Sequence, residues 1–314
     1  MALAGLWALQ TGLSEQSATL LIVDESAKVE EVLYSLGKPM RSDVTPRPAE
    51  GASAALGERI VTVGLGSDNK RQSKHFVCTS CHNTVPEDPD FTVSDPEARL
   101  TFTSEQGLPF LPGTTLYGAI NRESYYNDDY EKKYGNLVLP ARRDLRAAIQ
   151  LCATECAQGR PLTKVEMESE ADMDKINRSL ANKSNQESTI QLIEDQFLAA
   201  SPASFVTPPK DRKAGYPVAA GRPERGALIY KNACLHCHEN KRYSFFNLTE
   251  DSYSYDYLLK HFPRYDRYST YQVVRYGTSP IPGKKAYMPH YTAERMSGQQ
   301  VEDLRAYLKS ATSK

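Results

Sequence analysis

The sequence predicts a mainly α protein of two helical domains joined by a Pro/Gly-rich linker. Three observations predict this. A five-residue motif occurs twice, as Cys78-Thr79-Ser80-Cys81-His82 and Cys234-Leu235-His236-Cys237-His238, 156 positions apart (234 − 78). Each copy is followed by a capping-box helix start, at Thr163 after 85 positions (163 − 78) and at Ser297 after 63 (297 − 234). Between the two halves, Pro202, Pro208, Pro209, Gly215, Pro217 and Gly221 punctuate a short stretch. A length of 314 residues agrees with two domains at roughly 150 residues each.

The boundaries follow from the same punctuation. Residues 1–50 are leader and linker, with Pro39, Pro46 and Pro48 marking extended chain. The first domain spans 51–198, the linker 199–222 and the second domain 223–314. Met1–Leu13 is apolar, and no Lys or Arg precedes Lys28. Two readings of it stay open: the apolar core of an export signal, or a short buried helix. No later stretch approaches the ~20 apolar residues of a membrane span. A formal net charge of −1 carries no nucleic-acid footprint.

Ala54–Gly64 has the spacing of an opening helix. The Cys78 motif follows, then a Pro/Asp-rich run over 86–96 and Leu108-Pro-Phe-Leu-Pro-Gly113. A patch with Tyr125, Tyr126, Tyr130 and Tyr134 comes next; the longer spacing in this half assigns it to an insertion of about 22 residues (85 − 63). Leu145, Ala148, Ile149 and Cys152 form one helical stripe, and Thr163–Glu166 opens a weaker, acidic helix carrying Met167, Met173, Ile176 and Leu180. In the second half, Pro223 suits a helix start and Arg225–Ala233 leads helically into Cys234. Val301, Leu304 and Leu308 then repeat at helical spacing behind Ser297-Gly-Gln-Gln300. The tyrosines, 19 in all, read as amphipathic side chains on a loop-rich surface.

C-x-x-C-H is the attachment pattern of c-type haem. Two thiols add across two vinyl groups on one porphyrin edge, and the adjacent His supplies the proximal nitrogen to iron. The pattern therefore assigns Cys78, Cys81, Cys234 and Cys237 to covalent attachment and His82 and His238 to iron, with two haem c groups per chain. A zinc site would need both pairs to converge and would not require a His after each. A redox dithiol would stand at the strand-to-helix junction of a βαβ pattern, which this sequence lacks.

Residues 222–312 resemble the class I cytochrome c family. In that family a Met on the loop before the last helix binds iron opposite the His, and Met288, followed by Pro289 and nine residues ahead of Ser297, matches that position (297 − 288). A core-filling Met is the alternative, and His261 and His290 are rival ligands; His236 reads as an exposed spacer. No Met stands between Cys81 and Met167. Ile149-Gln-Leu-Cys152-Ala-Thr-Glu-Cys156-Ala-Gln-Gly159-Arg-Pro-Leu162 is similar to the segment of thiosulfate dehydrogenases and Sox-type sulfur-oxidising cytochromes whose Cys ligates haem. That resemblance implies Cys152 as the first haem's thiolate ligand. The chain departs from it at Glu155, Cys156 and Ala157, where those enzymes carry a basic, Ser-containing stretch. A Cys152–Cys156 disulfide is the other reading of the pair.

The expected function is a diheme c-type cytochrome that passes electrons between redox protein partners in the periplasm, as an exported protein or as a subunit of a larger complex. A Met ligand raises a haem's potential and a thiolate lowers it, and axial ligands span about 0.8 V. The alternative is a thiosulfate dehydrogenase-like sulfur-compound oxidoreductase with a catalytic His/Cys haem. Whether the protein is an enzyme stays open at this point, and the presence of an open, basic pocket at the first haem discriminates the two.

Overall fold

The computed structural model describes residues 49–90, 93–117, 119, 125–126, 128–173, 205–244, 246–278 and 288–313, with side chains at 170–173 excepted. The expected leader, the residues Ile176 and Leu180 and the loop before Met288 lie outside them. Among the described residues the protein is helical, and its only β pairing is an isolated bridge between Leu65 and Arg71.

The N-terminal half opens with α1 (Ala54–Val63), capped by Ser53, whose side chain accepts from the Leu56 amide, and ended by Gly64 in the left-handed region. α1 packs on α6 (Lys164–Met173). The predicted capping box starts α6: the Thr163 hydroxyl accepts from the Glu166 amide at 3.3 Å, and the Glu166 carboxylate accepts from the Thr163 amide at 2.9 Å. Between α1 and α6 lie α2 (Pro96–Glu105), α3 (Asp128–Tyr134), α4 (Val138–Ala141) and α5 (Leu145–Leu151). Asp144 caps α5 by accepting from the Arg146 and Ala147 amides. The Arg146 guanidinium grips Glu168 through two bonds of 2.8 Å, tying α5 to α6. The chain leaves α5 through a π-helical turn, Cys152–Cys156, so the helix runs one turn past the predicted stripe.

The C-terminal half is built on α7 (Pro223–Ile229), α8 (Ser252–His261), α9 (Thr270–Tyr276) and α10 (Gly298–Thr312). Pro223 stands in the first turn of α7, as its fixed φ and missing N–H favour. Ser297 and Gln300 close the predicted capping box on α10. α7 and α10 cross closely because Gly226 has no side chain: a Cβ there would meet the Asp303 carbonyl oxygen at 2.0 Å. Val301, Leu304 and Leu308 are buried against Ile229, Tyr230 and Phe262.

The halves share a core and a buried charge cluster. Leu100 and Phe110 belong to the same apolar cluster as Ile229 and Leu304. Phe110 donates its amide to Asn232 O, and Tyr291 donates its hydroxyl to Phe110 O, both at 2.9 Å. Buried Glu87 pairs with Arg295 at 2.7 Å and with Arg99 at 3.8 Å, and Arg99 also donates to the Arg295 carbonyl. Burial works to raise the Glu87 carboxyl. Arg295, Arg99, Asn83 and the Thr115 amide outweigh it and hold the group below the usual carboxylate range.

The tyrosines divide rather than coat a surface. Tyr253, Tyr265 and Tyr268 are exposed, but Tyr230, Tyr255, Tyr271 and Tyr291 are buried. Their rings supply apolar area while each hydroxyl finds a partner, as Tyr230 does on Thr249 O at 2.8 Å and Tyr255 on Tyr307 at 2.9 Å.

Candidate haem-binding sites

The Cys78 motif lies on a 3-10 turn, Cys78–Ser80, behind extended Val77. Cys78, Cys81 and His82 line a cavity with about 1300 Å³ of atom-free space, part of it open to solvent. Ile60, Val61, Phe76, Ala148, Ile149 and Leu162 make much of its wall, so the lining is largely apolar. His82 Nδ1 is 2.6 Å from Thr114 O, which makes Nδ1 the donor and leaves Nε2 with the lone pair a metal needs. Gly113 allows this approach. A Cβ there would lie 2.5 Å from His82 Cε1 and 2.7 Å from Cys81 O.

Cys152 and Cys156 line the same cavity. The π turn brings this about. Ala157 donates to Cys152 O at 2.8 Å, an i to i+5 bond, so the wide turn carries both thiols on one side of the helix. A strap just ahead of the Cys78 motif pins this turn: Gln72 Nε2 donates to Ala153 O at 3.1 Å, and Ser73 Oγ donates to Ala157 O at 2.5 Å. The two thiols hydrogen-bond to each other, and that bond with burial raises the Cys152 thiol well above its ordinary value. No disulfide joins the six cysteines. Cys156 Sγ also lies 3.6 Å from Tyr134 OH.

The second motif continues from α7 without a break. A π-helical segment, Tyr230–Leu235, leads into one helical turn, His236–His238. Burial pushes the Cys234 thiol up to about 12 and the Cys237 thiol to about 11. His238 repeats the arrangement of His82: its Nδ1 is 2.9 Å from Phe246 O. Burial holds its imidazole neutral by lowering its pKa, the form that ligates metal.

Met288 is half-buried, its amide donating to Thr278 Oγ1 at 2.7 Å and its carbonyl accepting from the Thr278 amide at 3.0 Å. His261 has its Nδ1 2.6 Å from Tyr257 O and its ring stacked on Tyr257. His290 is buried between Tyr130 and Phe205, with Nδ1 3.1 Å from Lys133 Nζ. His236 is a correction to the sequence reading: it is half-buried, not exposed, because its ring packs against the first motif and Tyr243. The Gln72–Ser73 strap and Gly113 escaped the sequence reading, since neither carries a motif of its own.

Both motifs fit covalent haem on this geometry. Each sets two thiols beside an imidazole whose Nδ1 is already committed, and the first faces an apolar cavity. Among the described residues, no group of three or more His, Cys, Asp or Glu side chains could hold a bare metal ion. Residues 221–308 match the family model described as cytochrome c oxidase, cbb3-type, subunit III, which makes this segment a cytochrome c domain and implies haem c and redox partners. No curated protein and no solved structure matches the chain. No helix among the described residues is long and apolar enough to cross a membrane.

Proposed function

We propose, from the cytochrome c domain at residues 221–308 as premise, that the protein is a diheme c-type cytochrome passing electrons between redox protein partners in the periplasm. The observation that supports a haem beyond the matched segment is the cavity that gathers Cys78, Cys81 and His82 on one side and Cys152 and Cys156 on another. In this reading the halves 51–198 and 223–314 are each a cytochrome c domain, joined by 199–222.

The chain's residues have distinct tasks. Cys78 and Cys81, and likewise Cys234 and Cys237, form the thioether links. His82 and His238 ligate iron through Nε2, each oriented by its backbone carbonyl. Cys152 would supply a further ligand to the first haem and Met288 to the second. When bound, haem supplies one-electron Fe(III)/Fe(II) chemistry. The apolar wall of Ile60, Val61 and Phe76 excludes water, which limits the solvent reorganisation that accompanies each electron.

A second reading, a sulfur-compound oxidoreductase similar to thiosulfate dehydrogenases, is favoured by the pair of thiols in the first cavity. Such an enzyme binds an anion, and no Lys or Arg stands among the described lining residues. That apolar lining favours the carrier. Denaturing mass spectrometry of protein made in a host that attaches haem tests the central claim: the expected mass is polypeptide plus two haems. One haem on the Cys234 motif alone would reduce the protein to a monohaem cytochrome.

A further inference from the structure

The two attachment motifs, 156 positions apart in sequence (234 − 78), are packed against each other. Cys237 Sγ lies 3.9 Å from the carbonyl oxygen of Ser80, which is fully buried. His236, a spacer residue of the second motif, is half-buried and lies close to the backbone of Thr79, a spacer residue of the first. Tyr243 closes the side of this contact, its ring 5.8 Å from His236 and 6.4 Å from Phe76. Buried Tyr291 lies within electrostatic range of Cys81, Cys234 and Cys237. Two carriers acting independently would not need their attachment motifs in contact.

We propose that this spacer-to-spacer contact is the route by which electrons cross between the two haem sites, with His236 as the positioning residue that holds it together. The proposal rests on the two-haem reading above. Its physical basis is continuity of bonds. Once attached, the Cys237 sulfur is bonded to the rim of one porphyrin, and the Ser80 carbonyl is bonded to the Cys81 amide, one residue from the other rim. Electron tunnelling decays more slowly through bonds than through space, and this path has one short through-space step. The exchange is balanced without chemistry: one electron leaves one iron, Fe(II) to Fe(III), and enters the other, Fe(III) to Fe(II). No bond breaks and no proton is required.

The test uses the holoprotein, with its haem count first established by mass. In the fully oxidised protein, EPR should show each ferric haem broadening the other's signal and shortening its relaxation. Reducing the higher-potential haem alone should sharpen the remaining signal. Two haem masses with two independent, uncoupled signals would overturn the proposal and leave the two-haem reading intact; one haem mass would remove both. For His236, flash photoreduction should show intramolecular equilibration that is several-fold slower in His236→Leu. His236→Gln, whose polar side chain can occupy the same contact beside Thr79, should recover most of the rate. An unchanged rate in a His236→Leu protein that keeps both haems would dismiss His236 as a positioning residue. If His236→Leu fails to attach haem, the EPR of the unsubstituted protein decides the proposal.

Discussion

Cys152 and Cys156 are chemically identical and one turn apart, yet their surroundings differ. Cys156 Sγ has the Tyr134 hydroxyl at 3.6 Å, whereas the largest influences on Cys152 are Cys156 itself, burial and the thiols of Cys78 and Cys81. Coordination deprotonates a thiol that burial otherwise keeps protonated. Cys152→Met should therefore keep the first haem low-spin and raise its potential in a spectroelectrochemical titration, while Cys156→Ser leaves it nearly unchanged. If both substitutions act alike and ligation does not move, the pair acts as a disulfide instead. Met288 permits a separate prediction. Met288→Ala should abolish the near-infrared Met–Fe(III) charge-transfer band and lower the second haem's potential; a persisting band would transfer the ligand role to another residue.

Single elements depend on their ends, and α6 shows how. Glu166 is fully buried at its first turn, where it accepts from the Thr163 and Ser67 amides and pairs with Arg160 at 2.7 Å. The Arg160 hydrogen bonds are the largest influence, and they bring the carboxyl down to about 2 from an ordinary 4.5 despite burial. Because the folded value lies below the unfolded one, the stabilisation is fully present above 4.5 and is lost as pH falls towards 2. Its size is on the order of 3 kcal/mol, from the linkage between pKa and stability. Glu166→Gln should lower the N-terminal half's stability by about that amount at pH 7 and flatten its acid transition, as followed by circular dichroism. An acid transition identical to that of the unsubstituted protein would show that α6 is held by its packing on α1 alone.

Across the whole molecule, the Glu87, Arg99 and Arg295 cluster joins the halves around the first motif. Arg295 also donates to Gly113 O at 2.7 Å, in the loop that lies against His82. Removing the carboxylate would leave two buried guanidiniums without their anion. Breaking a buried pair in this way typically costs about 3–5 kcal/mol. Glu87→Gln should therefore destabilise both halves together in chemical denaturation, with both haem sites changing in one transition. Separate transitions, with only one displaced, would mean that the halves fold independently of this cluster.

Sequence alone determined what local chemistry and chain periodicity encode. The C-x-x-C-H spacing is the pattern from which the haem reading starts, the boxes at Thr163 and Ser297 start helices through contacts three residues apart, and Val301, Leu304 and Leu308 mark the inner face of α10 at helical spacing. Tertiary structure decided what depends on residues distant in sequence. The Gln72–Ser73 strap, the fit of Gly113 against His82 and the burial of Tyr271 each rest on a partner brought in by folding. His236 is the sharpest case: its neighbours in the motif mark it as a spacer, and only the docking of one motif on the other buries it. Periodicity reports which face of an element is apolar, but not which distant element covers that face, because no short segment carries the coordinates of its partner.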